Sequence, residues 1–158
     1  MLYTDMQYED DIKRLVWSDI VEAGEAYHIT SLEFTRTRGY DVHAHEDFAE
    51  LFLVERGEGI HLVNGQAVAL RSGDLVLVRA SDRHGLRTPS AAGFGYINLA
   101  FPLESLRFVK ERYFLGDRGF WGGEEELPAM CELDEARRDG LLSRMRELAR
   151  SPRSRLHV

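Results

Sequence analysis

Residues 43–85 read HAHEDFAELFLVERGEGIHLVNGQAVALRSGDLVLVRASDRHG, and this stretch decides the fold. Its apolar runs Glu50–Glu55, Gly59–Val63, Gln66–Leu70 and Leu75–Ala80 are each of strand length. Between them stand Gly57-Glu58-Gly59, Asn64-Gly65 and Ser72-Gly73-Asp74. Asn-Gly between apolar runs predicts a two-residue hairpin, because both residues accept the positive φ of a type I′ turn. Working outward, Tyr27–Thr37 and Phe94–Phe101 have the same character. Many short strands closely spaced predict an antiparallel sandwich or barrel, so the chain is expected to be mainly β.

The pattern changes after Phe101. Leu103–Tyr113 places Leu103, Leu106, Phe108 or Val109, and Tyr113 at helical intervals. Residues Gly116–Pro128 read as a loop in which Phe120 and Trp121 cap the packing and Glu124–Glu126 form a solvated acidic turn. Leu133–Ala149 is an amphipathic helix with Leu133, Ala136, Leu141, Met145 and Leu148 on its apolar face and Gly140 as a weak point. Pro152 is placed to open another helix, so the chain reads as part of a longer protein. A barrel with an N-terminal arm is therefore expected at 1–102 and helices at 103–158, within one structural unit. The length of 158 residues and an apolar fraction of 44% suit one domain with its own core.

Charge and composition narrow the function classes. The net charge is −7, yet residues 134–158 carry seven arginines against four acidic residues. The body is thus acidic and ill suited to nucleic acid, while the late arginines complement a helix end. No apolar run approaches a membrane span, and the opening MLYTDMQYEDDIKR has no apolar signal region. Cys131 is the lone cysteine and reads as a small apolar residue. A reduced, cytoplasmic setting is expected.

Four residues carry the candidate chemistry. His43 and His45 stand at i and i+2, so on a strand they face one side together. Glu50 opens the next strand, and His84 lies just past a later one. Three imidazoles and a carboxylate meeting at a barrel mouth suit a divalent metal such as Zn, Mn, Fe, Ni or Cu. Alternatively the same side chains hydrogen-bond one another, water or a bound effector.

The spacing Gly39-x3-His43-x-His45-x4-Glu50-x6-Gly57 resembles the first cupin motif, and Gly73-x10-His84 keeps the glycine-to-histidine distance of the second. The second departs in detail, with Arg79, Ser81 and Thr88 where the motif has proline, glycine and asparagine. More narrowly, Tyr27–Phe101 resembles the N-terminal sensing domain of AraC-type transcriptional regulators, especially members responding to sugars. The resemblance implies a cupin barrel that binds a small-molecule effector and C-terminal helices that pair two subunits into a homodimer. It also implies that DNA is reached through a helix-turn-helix domain outside these 158 residues. Sugar-contacting positions of the arabinose-responsive members match Arg56, Tyr96 and Asn98. His61 and Trp17 could add further hydrogen-bonding and aromatic surface, and Met1–Glu25 is a candidate moving part. The alternative is a stand-alone metal-dependent cupin enzyme, a dioxygenase or isomerase, using His43, His45, Glu50 and His84.

Overall fold

The computed structural model describes residues 12–35, 39–114 and 125–152. Strands β1 (Arg14–Leu15), β2 (His28–Phe34), β3 (Gly39–His45), β4 (Phe48–Val63), β5 (Gln66–Arg71), β6 (Asp74–Val78), β7 (Arg83–Arg87), β8 (Phe94–Pro102) and β9 (Met130–Glu132) join in one curled sheet. Three helices accompany them: α1 (Trp17–Ile20), α2 (Leu103–Tyr113) and α3 (Glu135–Arg150). The main path of the sheet runs β1-β3-β7-β4-β6-β9, with β8 between β2 and β4 and β5 paired to β4.

Strand β4 organises the whole. Two separate strands are expected over 50–63, but the chain runs on from Phe48 to Val63 as one. Its first half pairs with β6 and β8, and its second half with β5 and β7. One strand can serve both walls because the register against β8 slips between Val54 and Arg56, which makes Glu55 an extra residue. The bulge inverts the alternation: even positions 50, 52 and 54 face inward before it, and Gly59, His61 and Val63 face inward after it. Gly57 follows at φ 79°, and a Cβ there would collide with the Gly93 carbonyl oxygen. Asn64 (φ 50°) and Gly65 (φ 79°) then form the expected I′ hairpin, with Val63 opposite Gln66.

The interior separates into two apolar clusters. Inside the barrel Phe34, Phe52, Val54, Phe94 and Tyr96 pack with Val76, Val78 and Leu86. On the outer face of the β2–β8–β4 wall, Ile29, Leu53 and Ile97 are covered by Leu142 and Met145 of α3. The N-cap Asp134 accepts the backbone N–H of Arg137, fixing where α3 begins. Leu133, Leu141 and Leu148 pack against the same cluster, so the apolar face expected of this helix is seated on its own barrel. Helix α2 contributes no buried residue and exposes Leu103, Phe108 and Tyr113.

Three further expectations need adjustment. Tyr27–Thr37 shortens to His28–Phe34, with 36–38 outside the described residues. His84 does not follow a strand but sits within β7, whose sequence RHGLR has no apolar run; pairing to β3 on one side and β4 on the other holds it extended. Met130–Glu132 adds an edge strand beside β6 that the sequence did not announce. Phe120, Trp121, Glu124 and residues beyond Pro152 lie outside the described residues, as do residues 1–11 of the arm.

Candidate ligand and metal site

The register of β3 against β7 sets His43 directly opposite His84, and parity carries His45 to the same side. Glu50, near the start of β4, completes the group. His84 Nε2 stands 3.3 Å from His45 Nε2, 3.6 Å from Glu50 Oε2 and, through its other nitrogen, 3.3 Å from His61 Nε2. Glu50 Oε2 is 3.8 Å from His45 Nε2, while its Oε1 accepts the Asn98 amide at 2.9 Å. His43 Nδ1 lies 2.9 Å from the Asp41 carbonyl oxygen, an N–H donation that leaves its Nε2 bare.

Burial sets the protonation of the group. It lowers His45 and His61 to about 4, with neighbouring His43 adding to the effect on His45 and Asp82 opposing it on both. His84 is held well below its ordinary value, by burial first and then by the adjoining histidines. Burial also raises Glu50 to about 7, against the opposing hydrogen bond from Asn98. His45, His61 and His84 are therefore neutral imidazoles beside a carboxyl group that titrates near neutrality.

The residues fit a divalent ion. Ligand nitrogens of His43, His45 and His84 all lie within 4.8 Å of one another. A tetrahedral ion with nitrogen ligands has edges of about 3.4 Å between donors, close to the 3.3 Å between His45 and His84. Two buried polar atoms also have no partner among the described residues: His45 Nδ1 and Asn98 Oδ1.

A cavity of about 460 Å³ adjoins the cluster. Polar His43, Glu50, His84, Asn98 and Thr30 line it together with apolar Leu32, Phe52, Leu86, Tyr40 and Tyr96 of the same strands. Lys13, Leu15 and Ile20 close one side from the N-terminal arm, which β1 fastens parallel to β3. Burial raises the Tyr96 phenol further above its ordinary range, with Glu50 and Tyr40 contributing.

Not all expected site residues meet here. Tyr96 and Asn98 line the cavity beside His43, Glu50 and His84, whereas His45 is buried against the Phe48 ring at 4.1 Å between centroids. Arg56 does not line it. The bulge at Glu55 turns its guanidinium outward, where Glu33 pairs with it at 2.9 Å and the Ala92 carbonyl accepts from it. His61 is fully buried behind His84 and edge-on to Phe52, away from the cavity wall. Trp17 packs toward Phe48 from α1. Sequence reading missed Thr30, Leu32 and Tyr40; their inward parity becomes visible once β2 and β3 are placed.

A curled, mainly antiparallel sheet that sets His43, Glu50 and His84 along a cavity, with His45 buried beside them, is a cupin barrel. A model of the AraC-like ligand binding domain matches residues 30–156, and the chain belongs to that family. It is similar to the HTH-type transcriptional activator RhaS of Pectobacterium carotovorum subsp. carotovorum (strain PC1), at 33% identity over 123 residues. That match covers 74% of this chain and 41% of the activator. Among solved structures, ToxT from Vibrio cholerae O395 bound to (E)-4-(8-methylnaphthalen-1-yl)but-3-enoic acid has a TM-score of 0.61 at 14% identity. It covers 83% of this chain and 51% of ToxT, a likeness of fold. A cupin protein from Bacteroides fragilis has a TM-score of 0.47 at 16% identity, covering 51% of this chain and 69% of that one. The chain spans less than half the length of the curated activators it matches.

Proposed function

We propose that this chain is the effector-sensing part of a transcriptional regulator and that its effector is a sugar or closely related polyol. The observation that carries this reading is the mixed lining of the cavity: Tyr40 and Tyr96 for the face of a ring, close to Asn98, Glu50 and the histidines for hydroxyls. The unpartnered Asn98 Oδ1 calls for a donor, which a hydroxyl supplies. The arm residues Lys13, Leu15 and Ile20 give occupancy a route to the rest of the molecule. An effector that favours one arm arrangement over another shifts its population by that difference in affinity.

His43, His45, Glu50 and His84 would hold a divalent ion, of which Zn, Mn, Fe, Ni and Cu suit the donors. Such an ion supplies a Lewis acid to the cavity. The same donor set favours, as a second reading, a metal-dependent cupin enzyme such as a dioxygenase or isomerase; resemblance to named transcriptional activators supports the sensor instead. A homodimer would use the outer faces of the helices, where Phe108 and Tyr113 are exposed, because the apolar face of α3 is occupied. DNA would be contacted by a helix-turn-helix domain outside these residues, in a cytoplasmic protein; no helix among those described is long and apolar enough to cross a membrane.

The test is calorimetric titration with pentoses, hexoses and 6-deoxyhexoses, with a short-chain carboxylic acid as control. Binding of one sugar, weakened at least about tenfold (about 1.4 kcal/mol) by Asn98→Ala, is expected. Binding of the acid alone, or turnover of a bound sugar, would refute the sensor-of-sugars reading.

A further inference from the structure

His61 is a fourth histidine in the cluster that neither touches the cavity nor stands among the three grouped metal donors. It comes from the half of β4 beyond the bulge, where His61 pairs with Leu86 and Val63 with His84, so His61 and His84 are diagonal neighbours across the two strands. The two rings meet nearly perpendicular, at 87°, with His61 Nε2 3.3 Å from His84 Nδ1. Phe52 closes the other side of His61 edge-on at 5.4 Å, and the ring is 1% exposed. It is thus held by packing.

We infer that His61 is a positioning residue: its Nε2 accepts the Nδ1–H of His84 and so keeps the proton off His84 Nε2, whose lone pair faces His45 and Glu50. The alternative arrangement runs the proton chain the other way, from His61 Nε2–H to His84 Nδ1 and from His84 Nε2–H to His45 Nε2. That would leave His45 Nδ1–H as a buried donor, and His45 Nδ1 has no acceptor among the described residues. In the inferred arrangement of the metal-free protein, His45 donates from Nε2 to His84 Nε2, the unpartnered His45 Nδ1 is an acceptor, and His61 carries its proton on Nδ1, which is not among the buried atoms without a partner. Orphaned acceptors are tolerated better than orphaned donors in a protein interior. The hydrogen bond also mirrors the one at His43, whose Nδ1 is engaged by the Asp41 carbonyl, leaving Nε2 free. A metal-binding histidine commonly has its second nitrogen held in this way.

The inference rests on the metal reading for one of its two measurements and is independent of it for the other. In metal-free protein carrying 15N-labelled histidine, long-range 1H–15N correlation reports which nitrogen of His84 bears the proton. Nδ1–H is expected; Nε2–H in the wild-type protein overturns the inference whatever the mutants do. His61→Phe, which retains the aromatic packing, is expected to mix the His84 tautomers, and His61→Gln, whose amide oxygen can accept, to restore Nδ1–H. Co2+ titration is expected to show affinity on the order of 10–100-fold weaker in His61→Phe than in the wild-type protein, with His61→Gln between them. Failure of the wild-type protein to take up Co2+ would sink the metal reading and leave the tautomer result to decide the role of His61. Unchanged tautomer and unchanged Co2+ affinity in His61→Phe would reduce His61 to packing.

Discussion

The two walls of the barrel are built to different specifications. The wall of β2, β8 and the first half of β4 is covered on both faces, by the interior cluster on one side and α3 on the other. Strand β8 shows it, with most of its nine residues buried. The opposite wall, of β3, β7, β5 and the second half of β4, has a single buried face; residues 39–42 of β3 are all exposed. Yet this thinner wall carries His43, His45, His61 and His84, whereas the thicker one contributes Glu50, Asn98 and Tyr96 to the cavity. The difference lies in apolar cover, which the first wall has on two faces and the second on one.

The sharpest way to break this contrast is in the thick wall. Leu53 is wholly buried under α3, and Leu53→Ala should cost about 3–4 kcal/mol in urea unfolding. A cost under 1 kcal/mol would mean that α3 is not seated on that wall. A smaller loss, about 2–3 kcal/mol, is expected from Arg79→Ala at the end of β6. Burial works to raise the Asp82 carboxyl, but hydrogen bonds from Arg79 and Asn64 more than offset it and hold its pKa below the ordinary value. Without Arg79 a carboxylate only 1% exposed loses its cation. A cost no greater than that of a surface substitution would show the pair to be dispensable.

Acid probes the thin wall. Folding lowers His45 and His61 from the ordinary 6.5 to about 4, and His84 well below 6.5, so unfolding takes up protons across that window. Their contribution to stability is complete above pH 6.5 and drains away as the pH falls toward 4. Glu50 works in the opposite sense: raised from 4.5 to about 7, it favours the folded state below pH 4.5 and loses that contribution as the pH rises through 7. Three histidines against one carboxyl leave the protein less stable at pH 5 than at pH 7, at about 1.4 kcal/mol per pH unit for each net proton. Equal urea midpoints at the two pH values would contradict the buried, neutral cluster. The smallest effect belongs to Phe108→Glu on α2, 63% exposed, which should change stability by no more than about 0.5 kcal/mol. If α2 pairs two subunits, the same change converts a dimer to a monomer in sedimentation; an unchanged dimer would place the interface elsewhere.

What the sequence disclosed follows the same division. The Asn64-Gly65 hairpin, helix Leu103–Tyr113 and the shared face of His43 and His45 depend on local turn chemistry and periodicity, so they could be read directly. Strand β7 could not, because RHGLR is extended through its neighbours and not through its own composition. Nor could the fate of Arg56: alternation from Glu50 points it inward, and one inserted residue at Glu55 turns it outward. The seating of α3 on its own barrel was equally hidden, since an apolar helix face does not say which surface it will cover.

That inserted residue has a further consequence. Glu50 and His61 are an odd number of positions apart on a single strand and still look into the same interior, which a regular ribbon forbids. Deleting Glu55, or adding a neighbour to it, would swing either the carboxylate or the imidazole to the outside while the strand itself could remain paired. The span between them should therefore resist length variation in descendants of this chain even where side-chain identity drifts, so gaps are expected to accumulate at the hairpin tips before they reach this segment.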